Sequence, residues 1–184
     1  MSADLSAEAR QKLLTLARDA IAARLAGRPA PPIPQDPELH EPRGVFVTLE
    51  EKGSGDLRGC IGHIAADMSL GEAVAQMAVA AALEDGRFQP VGEAELEALH
   101  IEISALGPLT RVKPEEVVVG VHGLLVRHEG RSGLLLPQVA TDHDWDRETF
   151  LDFTCRKARL PAGTWREPHC EIHAFTATVF GEEE

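Results

Sequence analysis

The sequence predicts an α+β fold. Helical and strand-like segments are interleaved without a strict βαβ repeat, an early glycine-rich turn joins two β-forming runs, and an alternating apolar run closes the chain. A length of 184 residues fits one domain, or two small lobes sharing a core. No internal repeat is found, so residues 1–184 are read as one domain.

Each element has its own warrant. From about Ser6 to Ala26, Leu13, Leu16, Ala17, Ala20, Ile21, Arg24 and Leu25 recur at helical spacing, and Gly27 stands where a C-terminal cap belongs. A proline-rich connector over about 29–42 follows, extended and unable to be helix. Val45 to Leu49 and Leu57 to Ile64 form a hairpin around Lys52-Gly53-Ser54-Gly55-Asp56. Ser69 and Glu72 make a capping box for a helix over Leu70–Leu83, apolar on most sides and therefore buried, with Gly86 ending it. A short helix near Glu93–Ala98 precedes a strand at about His100–Leu106. Val117–Val119, Leu124–Arg127 and Gly133–Leu136 read as short strands, the last two joined through His128–Ser132. A second amphipathic helix runs from about Asp146 to Arg159, and Glu171–Phe180 is the closing strand.

Charge limits the partners. Thirty acidic residues face 18 basic ones, a formal net charge of -12. That balance disfavours nucleic acid and anionic membrane surfaces, whose binding draws on clustered Lys and Arg. A small anionic ligand stays compatible, because a local group of arginines outweighs distant charge at short range. The longest Ala-rich stretch, Ala73–Leu83, is too short to span a bilayer, and no signal peptide is evident. The three cysteines lack a CxxC pair, so a disulfide framework or zinc ribbon is not expected, and the chain is read as cytoplasmic.

The most informative segment is Leu57-Arg58-Gly59-Cys60-Ile61-Gly62. In a regular strand Arg58 and Cys60 share a face roughly 7 Å apart, close enough for a guanidinium to support a thiolate or share a ligand with it. Gly59 and Gly62 remove side chains where a ligand or another backbone comes near. His63 falls on the opposite face from Cys60. Two readings stand: a reactive thiol beside a cation, or a buried structural cysteine packed on the Ala-rich helix. On the second helix, Phe150, Phe153, Thr154 and Ala158 share an arc into which Lys157 points, either as a cleft-facing cation or as a snorkelling surface lysine. Cys155 is read as packing. His122, between Gly120 and Gly123, is either a titratable site residue or a plain loop histidine.

Other matches fail on spacing. Asp142, Asp144 and Asp146 begin like a calcium loop, yet Arg147 and Phe153 occupy its glycine and bidentate-carboxylate positions. Gly130-Arg131-Ser132-Gly133 is no nucleophile elbow. His169 and His173 on one strand stand roughly 13 Å apart, too far to chelate one ion. No metal and no cofactor are expected.

Together these segments resemble a known family. Val47-Thr48-Leu49 with Arg58-Gly59-Cys60-Ile61-Gly62, Asp85-Gly86-Arg87-Phe88 with Pro90-Val91, and Glu102-Ile103-Ser104 are similar to the AMMECR domain family. So are His122-Gly123-Leu124, Gly130 through Val139, and Thr154-Cys155-Arg156-Lys157-Ala158. Prokaryotic members are known as AmmeMemoRadiSam system protein A. The resemblance implies two unequal α+β subdomains built on antiparallel sheet with a cleft between them. It also implies partnership with a Memo-type protein and a radical SAM protein, with no securely assigned reaction. On this basis Cys60 and Arg58 are the catalytic candidates, and Gly59, Gly62, His122, Gln138 and Lys157 the ligand-binding ones. A small-molecule enzyme and a non-catalytic adaptor of the same system both fit.

Overall fold

In the computed structural model, which describes residues 4–183, the chain separates into two compact units. Of the described residues, 4–106 with 178–183 form the first, and Gly107–Ala177 form the second.

The first unit starts with α1 (Ala7–Leu25), capped by the Ser6 side chain accepting from the Ala9 amide. Leu13, Leu14, Leu16, Ala17 and Ile21 give it a buried stripe. The connector departs from the expected extended form: Pro37–His40 make a helical turn, α2. Asp36 caps it, Pro37 sits at the start where a missing N–H costs nothing, and Leu39 is fully buried.

The hairpin is β1 (Val45–Glu51) and β2 (Leu57–His63), antiparallel. α3 (Leu70–Leu83) opens with the expected capping box between Ser69 and Glu72. It ends at Glu84 rather than at Gly86, which lies in the turn that follows. After a 3-10 segment (Glu93–Ala98), β3 (Leu99–Leu106) returns beside β1, giving the sheet order β2-β1-β3-β8 with β8 at Ala177–Gly181. Val45, Val47, Leu49, Ile101 and Ile103 are fully buried on one face, in one core with α1 and α3. The ends of the chain are tied by Arg18. Its guanidinium donates to both Glu182 carboxylate oxygens at 2.7 and 2.6 Å and to the carbonyls of Leu96 and Leu99.

The second unit carries β4 (Thr110–Arg111), β5 (Gly123–His128), β6 (Arg131–Leu135) and β7 (Glu171–Phe175), ordered β4-β7-β5-β6 and antiparallel throughout. Two helices belong to it, α4 (Pro137–Asp142) and α5 (Arg147–Lys157). Phe150, Leu151, Cys155 and Trp165 build its core with Leu124 and Val126. Trp145 stacks on Phe153 with centroids 4.0 Å apart, and the Arg156 guanidinium lies 4.7 Å over the same Phe153 ring.

Two strand expectations are corrected here. Val117–Val119 is not a strand: a 3-10 turn at Pro114–Glu116 leads into it, and Gly120 at φ 83° turns the chain before a ladder forms. The closing strand is two strands. It breaks at Thr176, so β7 joins the second sheet and β8 the first.

At Gly59, β2 touches α3 backbone to backbone: a Cβ there would lie 2.2 Å from the Ala81 carbonyl oxygen. Neither main chain yields cheaply. Gly59→Ala is therefore expected to lower stability by about 1–3 kcal/mol, as overpacking does. Urea unfolding checks this, and an unchanged midpoint would remove the contact from the account.

Candidate functional site

β2 is an edge strand, and its pairing to β1 contains a bulge. Val45 to Leu49 pair in register with His63 to Gly59, but Glu50 pairs with Leu57, which leaves Arg58 as the extra residue. The regular alternation expected between Arg58 and Cys60 is thereby broken. Arg58 turns to Glu95, donating from Nε at 2.6 Å and from Nη2 at 3.2 Å, and lies over the Phe88 ring at 5.9 Å. This ion pair holds the Glu95 carboxyl below its usual range. The guanidinium expected to support the thiol is already engaged by a carboxylate.

Cys60 itself faces away from the core. Gly59 meets α3, and Cys60, paired with Thr48, projects from the opposite side of the sheet. The Thr48 hydroxyl donates toward its sulfur at 3.3 Å. Thr48 in turn pairs with Glu102 on β3, so Cys60, Thr48 and Glu102 form a row across three strands. His63, on the other face as expected, binds Asp67 at 2.6 Å.

The open edge of β2 at Cys60 is closed by side chains. The Cys60 amide donates to Asp85 Oδ2 at 2.9 Å, and its carbonyl accepts from Arg87 Nη2 at 3.4 Å. With both main-chain groups turned outward, Cys60 and Thr48 form a pair without mutual ladder bonds, the kind whose side chains lie closest. Asp85 sits at the exit of α3 with its side chain only 5% exposed. It accepts the Arg87 amide in an Asx turn at 3.1 Å and binds the Arg87 guanidinium at 3.0 and 2.7 Å. That guanidinium, helped by the Cys60 amide, drives the Asp85 carboxyl far below the ordinary carboxylate range. Arg87 also lies 5.4 Å over Phe88. The cation beside Cys60 is thus Arg87.

The other cysteines have different surroundings. Cys155 is fully buried and its thiol is pushed up by desolvation. Cys170, half-buried, is pushed up to about 11, chiefly by burial. Both are poor sources of thiolate at neutral pH.

The remaining candidates divide. The gap at Gly59 is filled by α3, and the gap at Gly62 by the Phe46 ring, 2.2 Å from where a Cβ would stand. The close neighbours are therefore protein groups. His122 is half-buried in the second unit, its Nδ1 accepting the Val118 amide at 3.1 Å. Gln138 lies half-buried on α4, where its carbonyl accepts from Thr141. Lys157 is exposed, as a surface lysine would be; α5 buries Phe150, Thr154 and Ala158 of the expected arc together with Leu151 and Cys155, and leaves Phe153 half-buried. Gly133 sets that rotation, since a Cβ on it would meet the Ala158 nitrogen at 2.2 Å. Among the described residues no group of three His, Cys, Asp or Glu side chains is arranged to hold a metal ion.

Sequence reasoning did not assign roles to Thr48, Asp85, Arg87 or Glu95. A signal was present for one of them, since Asp-Gly-Arg is an Asx-turn pattern. The partners of Cys60 and Arg58 lie 25 and 37 residues away in sequence, beyond the reach of local patterns.

Comparison with known proteins gives one consistent answer. A family model described as AMMECR1 matches residues 14–180. Protein MK0488 of Methanopyrus kandleri is 42% identical over 193 aligned residues, covering 100% of this chain and 93% of that protein. Protein TV1384 of Thermoplasma volcanium is 40% identical over 179, covering 94% and 89%. A crystal structure titled as uncharacterized protein PH0010 from Pyrococcus horikoshii superposes with a TM-score of 0.91 at 39% identity, covering 97% of this chain and 94% of that one.

The depressed Asp85 carboxyl makes stability depend on pH. Its contribution is complete above the pH of about 3.9 at which an unfolded aspartate titrates, and is lost as the pH falls through the lower folded value. Asp85→Asn is expected to cost about 1–3 kcal/mol at pH 7, the cost of leaving hydrogen-bonding partners unmatched. Urea unfolding of both proteins should show that gap narrowing from about pH 5 to about pH 3. A gap independent of pH would remove the ionised pair as its source.

Proposed function

This chain belongs to the AMMECR1 family, and on that premise we propose that its first unit carries a thiol-centred site for a small anionic compound. One observation carries the reading. Of the three cysteines, Cys60, half-buried, is the one that projects from the sheet face opposite the core, with a hydroxyl donating toward its sulfur. A thiolate so placed gains a hydrogen bond from Thr48, and the Arg87 guanidinium, bonded to the Cys60 carbonyl, supplies positive charge nearby. Cys60 acts as the nucleophile in this reading. Arg87 takes the anion-holding role that the sequence assigned to Arg58: each guanidinium holds a carboxylate, but Arg87 is 58% exposed against 13% for Arg58 and also bonds the Cys60 carbonyl. Asp85 is a positioning residue: it anchors the Cys60 amide and aims Arg87. The work is done together with Memo-type and radical SAM proteins, as the family resemblance implies.

A second reading has its own support. The Cys60 amide is held by Asp85, and Nε and Nη2 of Arg58 are held by Glu95, which suits a rigid surface that presents rather than transforms. In that case the protein is an adaptor to the same partners.

Alkylation separates the two. At neutral pH iodoacetamide is expected to modify Cys60 at least roughly tenfold faster than Cys155 or Cys170, following thiolate character and exposure. Mass-spectrometric mapping reads the order of labelling. Cys60→Ala should fold normally and abolish the activity of the assembled system. A Cys60 that reacts no faster than a cysteine in unfolded chain, with full system activity in Cys60→Ala, would eliminate the nucleophile and leave the adaptor.

A further inference from the structure

Between α1 and α3, within the first unit and on residues unconnected with Cys60, lies an open trough of about 360 Å³. Ala20, Ala75, Met77 and Val79 form its apolar walls. Small side chains leave the space, because α1 and α3 approach through alanines while the chain beyond Gly27 rises beside them to Ala30. The size falls at the lower end of small-ligand sites, which run roughly 300–1,000 Å³.

Its rim is cationic in an otherwise acidic chain. Arg24 and Arg28 both line the trough, both are exposed, and among the described residues neither is in an ion pair. Elsewhere in this unit the arginines Arg10, Arg18, Arg58 and Arg87 each hold a carboxylate. Glu84 is the acidic side chain on the lining, so two guanidinium groups against one carboxylate leave a single positive charge. An apolar trough with one net positive charge at its mouth matches a molecule with a hydrocarbon body and a monoanionic head. Both heads fit the forked donors of an arginine, but a dianionic phosphate meets about twice the repulsion from Glu84 that a carboxylate meets, and one net positive charge balances a monoanion.

We propose that the α1–α3 trough is a binding site for a medium-length acyl carboxylate, its chain laid on Ala20, Ala75, Met77 and Val79 and its head held by Arg24 and Arg28. The site is independent of the thiol site and stands if that reading fails.

Titration calorimetry with decanoate, below its aggregation concentration, tests it. Saturable one-to-one binding is expected. Arg24→Gln with Arg28→Gln should weaken it roughly tenfold, the scale of one lost charged hydrogen bond. Ala75→Trp, which fills the trough, should abolish it, and Cys60→Ala should leave it unchanged. Decanol and butyrate should each bind at least roughly tenfold more weakly, since each lacks one half of the match. Thermal melting of the arginine variant at the wild-type temperature shows that the fold is intact. No saturable binding, equal binding of decanol, tighter binding of decyl phosphate, or indifference to either the arginine or the filling variant would each overturn the proposal.

Discussion

The close approach of α3 to β2 at Gly59 is the constraint from which the first unit follows. A main-chain carbonyl of the helix occupies the place of a strand side chain, so the helix exit is held beside the sheet edge. Asp85, the second residue beyond the helix, is thereby delivered to the Cys60 amide. Its carboxylate does two jobs that would otherwise require another strand and another base: it closes an exposed edge and aims a guanidinium. Cys60 is consequently fixed in backbone, with its side chain on the sheet face turned from the α1–α3 core.

Electrostatics in this unit is largely local. Arg18, Arg58 and Arg87 each meet a carboxylate, and each pair joins segments distant in sequence or clamps a turn. Arg43 is the exception in the interior, 7% exposed, bonded through Nε to the Leu106 carbonyl, with Nη1 left unpartnered. Burial without a hydrogen-bonded carboxylate lowers its affinity for the proton, although Glu41, Asp4 and Glu38 act against that at longer range. A formal charge of -12 therefore describes the surface poorly at any one place. Arginines that lack a carboxylate stand out against this background.

The second unit obeys the same rule of small residues placing large ones. Gly133 admits the end of α5 to within backbone contact of β6. Asp152 on α5 accepts from the Gly163 amide and from Trp165 Nε1, which locks the following turn under the helix. The stack of His143, Trp145 and Phe153 then lies outside the buried stripe, on the flank that a helical wheel assigned to the core.

The residues by themselves did not determine the short helices α2 and α4, but they did determine the starts of α1, α3 and α5, the hairpin and the α+β class. Each of these depends on neighbours within a few positions: Ser69 with Glu72, Asp146 with Thr149, glycines at a two-strand turn. The order of motifs along the chain also determined its family. Tertiary structure decided what those motifs do. A one-residue bulge removed Arg58 from the face of Cys60 and passed it to Glu95, and a break at Thr176 divided one apolar run between two sheets. Bulges, breaks and long-range ion pairs arise from which surfaces meet, and alternation in one segment holds no information about the segment it will meet.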